Sequence, residues 1–233
     1  SDSAQHGIRI DADIERVQVI GNYIGVADDG ITPLANGDTN IKIVDSSDIS
    51  IGGVNTNQKN IIANSTFGSG ISMVGNATVR VSVMGNSIYS NSLLGIDLGE
   101  NGVTNNDTLD TDTGSNNLLN FPSLYEPTES GGDTYVPYEY DLPAGEYRIE
   151  FFSNTTTDST GYGEGEEFIE ADTFTSAGSG VALGNAILTG TGYTNIRATV
   201  TLVDGADYVA TSEFSGPLVV PDRNVAVTKT AVD

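Results

Sequence analysis

The sequence contains no cysteine, no tryptophan and one histidine, and it has only nine lysines and arginines against 32 acidic residues. Without cysteine there is no disulfide framework. A formal net charge of −23 repels polyanions, so nucleic acids and anionic membranes are disfavoured as partners, and cations are favoured as ligands. The one histidine, His6, lies near the start of the chain, where we do not expect a general base.

The sequence also lacks an apolar segment long enough to cross a membrane, a signal peptide and an initiating methionine. Glycine, threonine, serine, asparagine and aspartate are abundant instead, which is typical of secreted or surface β proteins. We therefore expect an extracellular location and no membrane insertion. We also expect the chain to be a piece of a longer protein.

A repeat of short runs, in which apolar and polar residues alternate, dominates the first half of the sequence. Residues 70–98 contain three such runs, at 71–73, 81–83 and 87–89. Alternation at period two places one face of each run in a core and the other in solvent. Glycine and asparagine stand between the runs, and both tolerate the left-handed backbone of sharp bends.

The same pattern recurs upstream in three series. They begin at Ile8, Ile41, Ile71 and Ile96, at Val17, Ile49 and Val81, and at Asn22, Asn60 and Asn86. Self-similarity at such spacings is typical of solenoids, whose units bury their apolar faces by stacking. A leucine-rich repeat would show a ladder of leucines, which is absent. The sequence therefore predicts a parallel β-helix over residues 1–120.

The inward-facing positions of these series are the predicted core: Ile8, Ile10, Val17, Val19, Ile41, Ile43, Ile49, Ile51, Ile71, Met73, Val81, Val83, Ile88, Ile96 and Leu98. The asparagines of the third series are expected to form a side-chain ladder that satisfies buried amides. Because a first coil presents unpaired strand edges, we expect upstream coils or a neighbouring chain there, with residues 225–230 as a candidate donor strand.

The second half of the chain follows a different pattern. Alternating runs separated by turn clusters occur at 146–152, 167–171, 181–183, 195–203 and 208–211. They indicate an antiparallel β-sandwich over residues 121–221. Residues 222–233 are interpreted as a linker or as the first strand of a following domain.

An aspartate-rich loop connects the two halves and carries the strongest chemical signal. Asp107, Asp110 and Asp112 precede Gly114 and Asn116, and closely spaced carboxylates before a glycine turn can wrap a hard cation. We predict a calcium site formed by Asp107, Asp110, Asp112 and Asn116. The alternative is an acidic turn held by hydrogen bonds from its own aspartates.

A catalytic site is not predicted. Four glutamates cluster near a glycine-rich loop, and two of them could act as an acid and a base, but crowded surface carboxylates are far commoner; they are Glu164, Glu166, Glu167 and Glu170. Arg9 and Arg80 matter only for a lyase mechanism. The outward positions Gln18, Ser50 and Ser82 do not form the carboxylate groove that such an enzyme would need.

Several motifs together resemble bacterial and archaeal cell-surface proteins. They are Gly-Asn-Tyr-Ile-Gly at 21–25, Gly-Ile-Asp-Leu-Gly at 95–99, the aspartate-rich stretch 106–117 and Tyr-Arg-Ile-Glu-Phe-Phe-Ser-Asn at 147–154. In that family a right-handed parallel β-helix precedes an all-β sandwich domain. The resemblance spans residues 7–215 and implies an extracellular, multidomain protein. It carries no catalytic residues to transfer.

The sequence therefore predicts a non-catalytic structural or adhesive module of a larger surface protein, such as a filament or surface-layer component. Its expected partners are neighbouring domains or copies of the same protein, and Lys229 is a candidate for a cross-link to the next domain. Two alternatives stay open. One is a carbohydrate-active β-helix enzyme, a polysaccharide lyase or hydrolase. The other is a glycan-binding module that uses exposed tyrosines, with Tyr135, Tyr138, Tyr140 and Tyr162 as candidates.

Overall fold

The computed structural model describes residues 5–157 and 160–219. The predicted donor strand at 225–230, Lys229 and the segment 222–233 lie outside the described residues. Within them, three parallel sheets are followed by two antiparallel sheets, which confirms the prediction of an all-β chain. The helical elements of this part are two short 3₁₀ helices, Thr56–Gln58 and Ser115–Leu118.

The first half of the chain passes through the three parallel sheets in turn, and we call this half the parallel stack. The first sheet contains β1 (Ile8–Ile10), β4 (Ile41–Val44), β7 (Ile71–Val74) and β10 (Ile96–Leu98). The second contains β2 (Glu15–Val19), β5 (Ser47–Gly52) and β8 (Val81–Met84). The third contains β3 (Tyr23–Ile24), β6 (Ile61–Ala63) and β9 (Ser87–Tyr89).

The register between neighbouring strands follows the three series of the sequence, and this prediction is confirmed. Equivalent positions pair across each sheet: Ile8, Ile41, Ile71 and Ile96; Val17, Ile49 and Val81; Ile24, Ile62 and Ile88. β-Branched residues fill most inward positions, where they pack well on a pleated surface. Gly25 (φ 76°) turns the chain after β3, and a Cβ there would lie 1.6 Å from the Ala63 carbonyl oxygen.

The predicted core is confirmed except at one end. Every predicted core residue is buried apart from Ile8 and Val17, which are partly buried. Both belong to the first strands of their sheets. In the described part of the chain, β1, β2 and β3 each pair with a single strand. We call this side the open end, and the side of β8, β9 and β10 the covered end.

The second half, which we call the antiparallel region, contains two sheets. One comprises β11 (Ser123–Leu124), β12 (Thr128–Ser130), β13 (Asp133–Tyr140) and β16 (Ala182–Thr189). The other comprises β14 (Gly145–Ser153), β15 (Glu167–Ser176), β17 (Arg197–Asp204) and β18 (Asp207–Thr211). Apolar residues from both sheets form a second core. Phe152 and Phe214 pack instead into the core of the parallel stack.

Candidate cation site and the covered end of the parallel stack

The aspartate-rich loop lies between β10 and β11, where the chain leaves the parallel stack. It brings Asp107, Asp110 and Asp112 together so that each offers a carboxylate oxygen within 4.8 Å of the others. All three side chains are partly buried. Because like charges at this separation repel strongly when water is partly excluded, the cluster is unfavourable without a compensating positive charge.

Local hydrogen bonds shape this loop. The Asp107 carboxylate accepts hydrogen bonds from the Thr111 backbone N–H at 3.1 Å and hydroxyl at 2.8 Å, which is the local aspartate turn considered above. Buried Asn120 ties the loop further, since its backbone N–H donates to Asp110 Oδ1 at 2.7 Å. Its side-chain Nδ2 donates to the carbonyls of Asp107 and Asp141 at 2.9 and 2.7 Å.

The carboxylate of Asp141, which acts electrostatically on Asp110 but lies outside the group of three, was missed by the sequence interpretation. It follows β13, and its Oδ2 accepts a hydrogen bond from the backbone N–H of Leu109 at 3.1 Å. Asp112 Oδ1 and Asp141 Oδ1 are both buried and have no hydrogen-bond partner. Buried oxygens without a donor are rare and call for an explanation.

The electrostatics of the cluster agree with this geometry. Burial raises the pKa of Asp110 to about 6; the Asn120 hydrogen bond opposes the shift, and the charges of Asp112, Asp107 and Asp141 add to it. Burial, together with the Asp107 charge, also raises the pKa of Asp112. An oxygen-liganded divalent cation would relieve this repulsion and give the two orphaned oxygens a partner. Asp107, Asp110 and Asp112 could therefore hold a metal ion.

Asn116, the fourth predicted ligand, forms its hydrogen bonds with two strands rather than with the aspartates. Its Oδ1 accepts a hydrogen bond from the backbone N–H of Val81 at 3.0 Å. Its Nδ2 donates to the carbonyls of Val81 and Thr211 at 2.7 and 3.0 Å. The side chain is buried, and its hydrogen bonds go to β8 and to the last residue of β18, because the loop turns back onto these strands after Gly114.

Three buried glutamates of the antiparallel region cover the last strands of the parallel stack. Glu150 Oε2 accepts a hydrogen bond from the backbone N–H of Gly85 at 2.9 Å. Glu164 Oε1 accepts from the Asn91 backbone N–H at 3.0 Å. Glu213 Oε1 accepts a hydrogen bond from the backbone N–H of Leu98 at 2.8 Å, and its Oε2 accepts one from the backbone N–H of Thr104 at 3.0 Å.

These carboxylates satisfy backbone donors that a further strand would otherwise satisfy. Thr211 does the same with its hydroxyl, which accepts a hydrogen bond from Val83 N–H at 2.8 Å. Burial raises the pKa of Glu150 and raises that of Glu213 to about 8. The covered end is therefore closed by side chains from distant parts of the sequence.

Two asparagine ladders run through the parallel stack. In the predicted ladder, Asn22 Nδ2 donates to Asn60 Oδ1 at 3.1 Å, and Asn60 Nδ2 donates to Asn86 Oδ1 at 2.8 Å. This prediction is confirmed. A second ladder was not foreseen: Asn40 Nδ2 donates to Asn91 Oδ1 at 2.8 Å, and Asn91 Nδ2 donates to Glu164 Oε1 at 2.8 Å. Glu164 thus ends this ladder at the covered end.

The remaining candidate residues lie apart from one another. Glu166 Oε2 accepts hydrogen bonds from the backbone N–H and hydroxyl of Thr155 at 2.7 and 2.8 Å, and Glu170 Oε2 accepts from Thr189 N–H at 2.8 Å. The Glu167 side chain is exposed on β15. His6 Nδ1 lies 3.2 Å from the Thr39 carbonyl oxygen.

The predicted arginine and tyrosine candidates are also separated. Arg9 pairs with Asp11 at 2.8 Å on the surface of β1, whereas Arg80 pairs with Asp48 at 2.6 Å beside β8. Tyr138 is buried in the second core, so it cannot serve as an exposed platform for a glycan, and that part of the prediction is wrong. Tyr135, Tyr140 and Tyr162 are partly buried.

No protein-family model matches the chain, and no curated protein is significantly similar to it in sequence. Across the described residues, no helix has the length and apolar character needed to cross a membrane.

Proposed function

We propose that the chain is a non-catalytic structural or adhesive module of an extracellular protein, with a short right-handed parallel β-helix followed by a β-sandwich. The observation that supports this proposal is the difference between the two ends of the parallel stack. Phe152 and Phe214 pack over the core at the covered end, where Glu150, Glu164 and Glu213 satisfy backbone donors. At the open end, Ile8 and other first-strand residues stay partly exposed.

An open end of this kind is a surface for strand addition. Among the described residues, the first strands of the three parallel sheets pair on one side only, and such edges either aggregate or are covered by a partner. A further copy of this chain is the partner we propose, because stacking one unit on another continues the three sheets. Since the covered end is already closed by side chains of the antiparallel region, stacking through the open ends would join two copies.

The state of association tests this part of the proposal. We expect the molar mass of the chain, measured by light scattering, to rise with protein concentration, and electron micrographs to show end-to-end particles. Ile8→Lys places a charge at the open end and should abolish association, since charged residues protect strand edges. Leu183→Lys is the matched control, because Leu183 is 75% exposed on β16, which pairs with β13 alone among the described strands. A monomer at every concentration would contradict the proposal.

The non-catalytic part is tested with a panel of acidic and neutral polysaccharides. We expect the chain to release no unsaturated or reducing ends from any of them. Turnover that disappears in Glu166→Gln would instead favour the polysaccharide lyase or hydrolase.

We further propose that calcium, held by Asp107, Asp110 and Asp112 with Asp141 as a fourth carboxylate, fixes the junction between the two regions. The loop follows the last parallel strand, and Asp141 follows β13, so one ion would join both halves. The buried unpaired oxygens of Asp112 and Asp141 support this role.

Melting curves in chelator and in millimolar calcium test the site. Calcium at ~100 times its Kd stabilises a protein that binds it only when folded by about 2.7 kcal/mol, so the melting temperature should rise with calcium. Asp110→Asn combined with Asp112→Asn should remove the difference. Asp28→Asn combined with Glu126→Gln, two exposed positions, should keep it. Identical curves for the parent chain in both solutions would reject the calcium site and leave the proposed association unaffected.

A further inference from the structure

A trough of about 590 Å³ crosses the outer face of the second parallel sheet. Its floor is formed by outward side chains of β2, β5 and β8, and its walls are the loop after β5 and the turn into β18. Hydroxyl, amide and aromatic groups line it: Gln18, Ser50, Asn55, Gln58, Ser82 and Tyr208. The trough therefore spans both halves of the chain.

Three charged residues stand side by side at the start of this floor. Arg16 (φ 62°), Asp48 (φ 53°) and Arg80 (φ 58°) all have left-handed backbone, and they precede the paired residues Val17, Ile49 and Val81. Other corners of the parallel stack, such as Asp13 and Asp45, have the same left-handed backbone, so these three residues belong to a repeated turn. Glycine or asparagine would fit these positions at lower cost.

The charges of the trough are balanced, although the whole chain carries −23. Arg80 donates to Asp48 Oδ1 at 2.6 Å and to Asp204 Oδ2 at 3.2 Å, and its hydrogen bond lowers the pKa of Asp48. Two positive residues, Arg16 and Arg80, and two negative residues, Asp48 and Asp207, line the trough.

Arg16 has a guanidinium group that is available to a ligand. It is exposed, and its charge adds to the Arg80 hydrogen bond in lowering the pKa of Asp48. A planar guanidinium presents five N–H donors in a fixed fork, which suits neighbouring oxygen acceptors. Since Asp48 already forms hydrogen bonds with Arg80, the exposed guanidinium of Arg16 can offer its donors to a ligand together with the side chains of Gln18, Ser50 and Ser82.

We propose that the trough binds a neutral oligosaccharide. Sugar hydroxyls both donate and accept hydrogen bonds, so they match a lining of guanidinium, carboxylate, amide and hydroxyl groups without net charge. The ring of Tyr208, which has the Arg148 guanidinium carbon 5.8 Å from its centre, adds apolar surface beside a polar group. A volume of about 590 Å³ suits a short oligomer, since ligand sites usually measure ~300–1,000 Å³.

Other polymers fit this surface less well. The net charge disfavours nucleic acids, and the floor presents side chains rather than the free strand edge that an extended peptide adds to. The inference rests on the adhesive part of the proposed function and names the ligand of that part.

Titration calorimetry with neutral cello-, xylo-, manno-, malto- and chito-oligosaccharides, with oligogalacturonate as the acidic comparison, tests the proposal. We expect the parent chain to bind at least one neutral oligomer. Arg16→Gly removes the guanidinium and keeps a residue suited to φ 62°, so it should fold at least as well and bind about tenfold or more weakly, as expected for a lost charged hydrogen bond. Arg9→Ala, an exposed arginine on β1, should change the affinity less than about twofold.

Gln18→Ala provides a second variant if Arg16→Gly changes the melting temperature, and it too should weaken binding. The proposal is overturned if no neutral oligosaccharide binds, if oligogalacturonate alone binds, or if both trough variants bind as tightly as the parent. Light scattering of the same samples separates the two ideas. If the parent chain associates but binds no neutral sugar, the trough proposal alone is rejected. If it binds a neutral sugar but does not associate, the stacking proposal alone is rejected.

Discussion

At each end of the parallel stack, the outermost strands have apolar side chains and backbone groups that need to be covered, and the two ends differ in how far the chain covers them. At the covered end, Ile96 and Leu98 are 1% and 0% exposed, because aromatic rings and carboxylates from the antiparallel region lie over them. At the open end, Ile10 remains 7% exposed, although it occupies the position in the first sheet that is equivalent to Leu98. A stack of parallel strands therefore needs an added surface at each end, and in the described residues the chain supplies that surface at one of them.

The covered end shows what replaces a missing strand. A further strand would bring a row of carbonyl oxygens and a row of apolar side chains. The antiparallel region supplies both separately, with Glu150, Glu164, Glu213 and Thr211 as acceptors and with Phe214 as an apolar cover. Because these groups are individual side chains, each can be removed singly, which makes the comparison between the two ends testable.

The largest effect is expected from Phe214→Ala. The Phe214 ring is 3% exposed, packs edge to face on Phe152 with centroids 5.5 Å apart, and lies so close to Gly95 that a Cβ there would approach within 2.8 Å. Removing the ring should lower the free energy of unfolding by about 3–5 kcal/mol, as measured by urea denaturation. Phe67→Ala, at a ring that is 78% exposed, should stay within about 0.5 kcal/mol. Equal losses in the two variants would mean that Phe214 does not cover the core in solution.

Glu213→Gln is expected to change the free energy of unfolding by a smaller amount, and the sign of this change should depend on pH. The folded-state pKa of Glu213 is raised from 4.5 to about 8 by burial, so its contribution to stability is complete below pH 4.5 and is lost as the pH rises through 8. At pH 5 the glutamine variant should be less stable by about 1 kcal/mol, because one backbone N–H loses its acceptor. At pH 9 it should be more stable than the parent.

Urea denaturation between pH 5 and pH 9 measures this crossing. Glu146→Gln is the matched control, since Glu146 is exposed on β14, and its curve should run parallel to that of the parent. If Glu213→Gln and the parent differ by the same amount at every pH, the Glu213 carboxyl is not titrating in this range.

Much of the parallel stack was predictable because its contacts repeat. Ile41, Ile71 and Ile96 pair at positions that the sequence itself aligns, and the same spacing predicts the ladder from Asn22 to Asn86. In a solenoid, each unit meets its neighbours through equivalent residues, so local alternation carries the tertiary register. Ile8 and Val17 depart from the predicted burial for one reason, which is that the described chain places no strand beyond them.

The site and the covered end were less predictable because their contacts do not repeat. Asn116 fits a local cation-binding pattern, yet its side-chain oxygen accepts a hydrogen bond from Val81, a residue of β8 that lies 35 positions earlier in the chain. Glu213 lies 115 residues from Leu98, and nothing in either local sequence marks the pair. The strand β13 escaped detection because Pro137 interrupts its pattern; the structure places Pro137 between the segments paired with β11 and β12, where the missing N–H is tolerated.

The smallest expected change in stability comes from the same substitution, isoleucine to valine, made at two paired positions. It compares the open end with the interior of the stack most directly. Ile10 and Ile43 face each other across β1 and β4, but Ile43 is 0% exposed and Ile10 is 7% exposed. Replacing isoleucine by valine in a core costs about 0.5–1.5 kcal/mol. At low protein concentration we expect Ile43→Val to cost about 1 kcal/mol and Ile10→Val about half of that, because the open end can relax around the lost methyl group.

At high concentration a second copy stacked on the open end would bury Ile10 as fully as Ile43, so the two costs should converge. Urea denaturation at two protein concentrations measures this, and Ile8→Lys, which should block stacking, serves as the background in which the costs stay different. Costs that are equal already at low concentration would show that Ile10 is enclosed within the isolated chain. The open end would then be closed by the chain itself, and the two ends would no longer differ in the way that the proposed stacking requires.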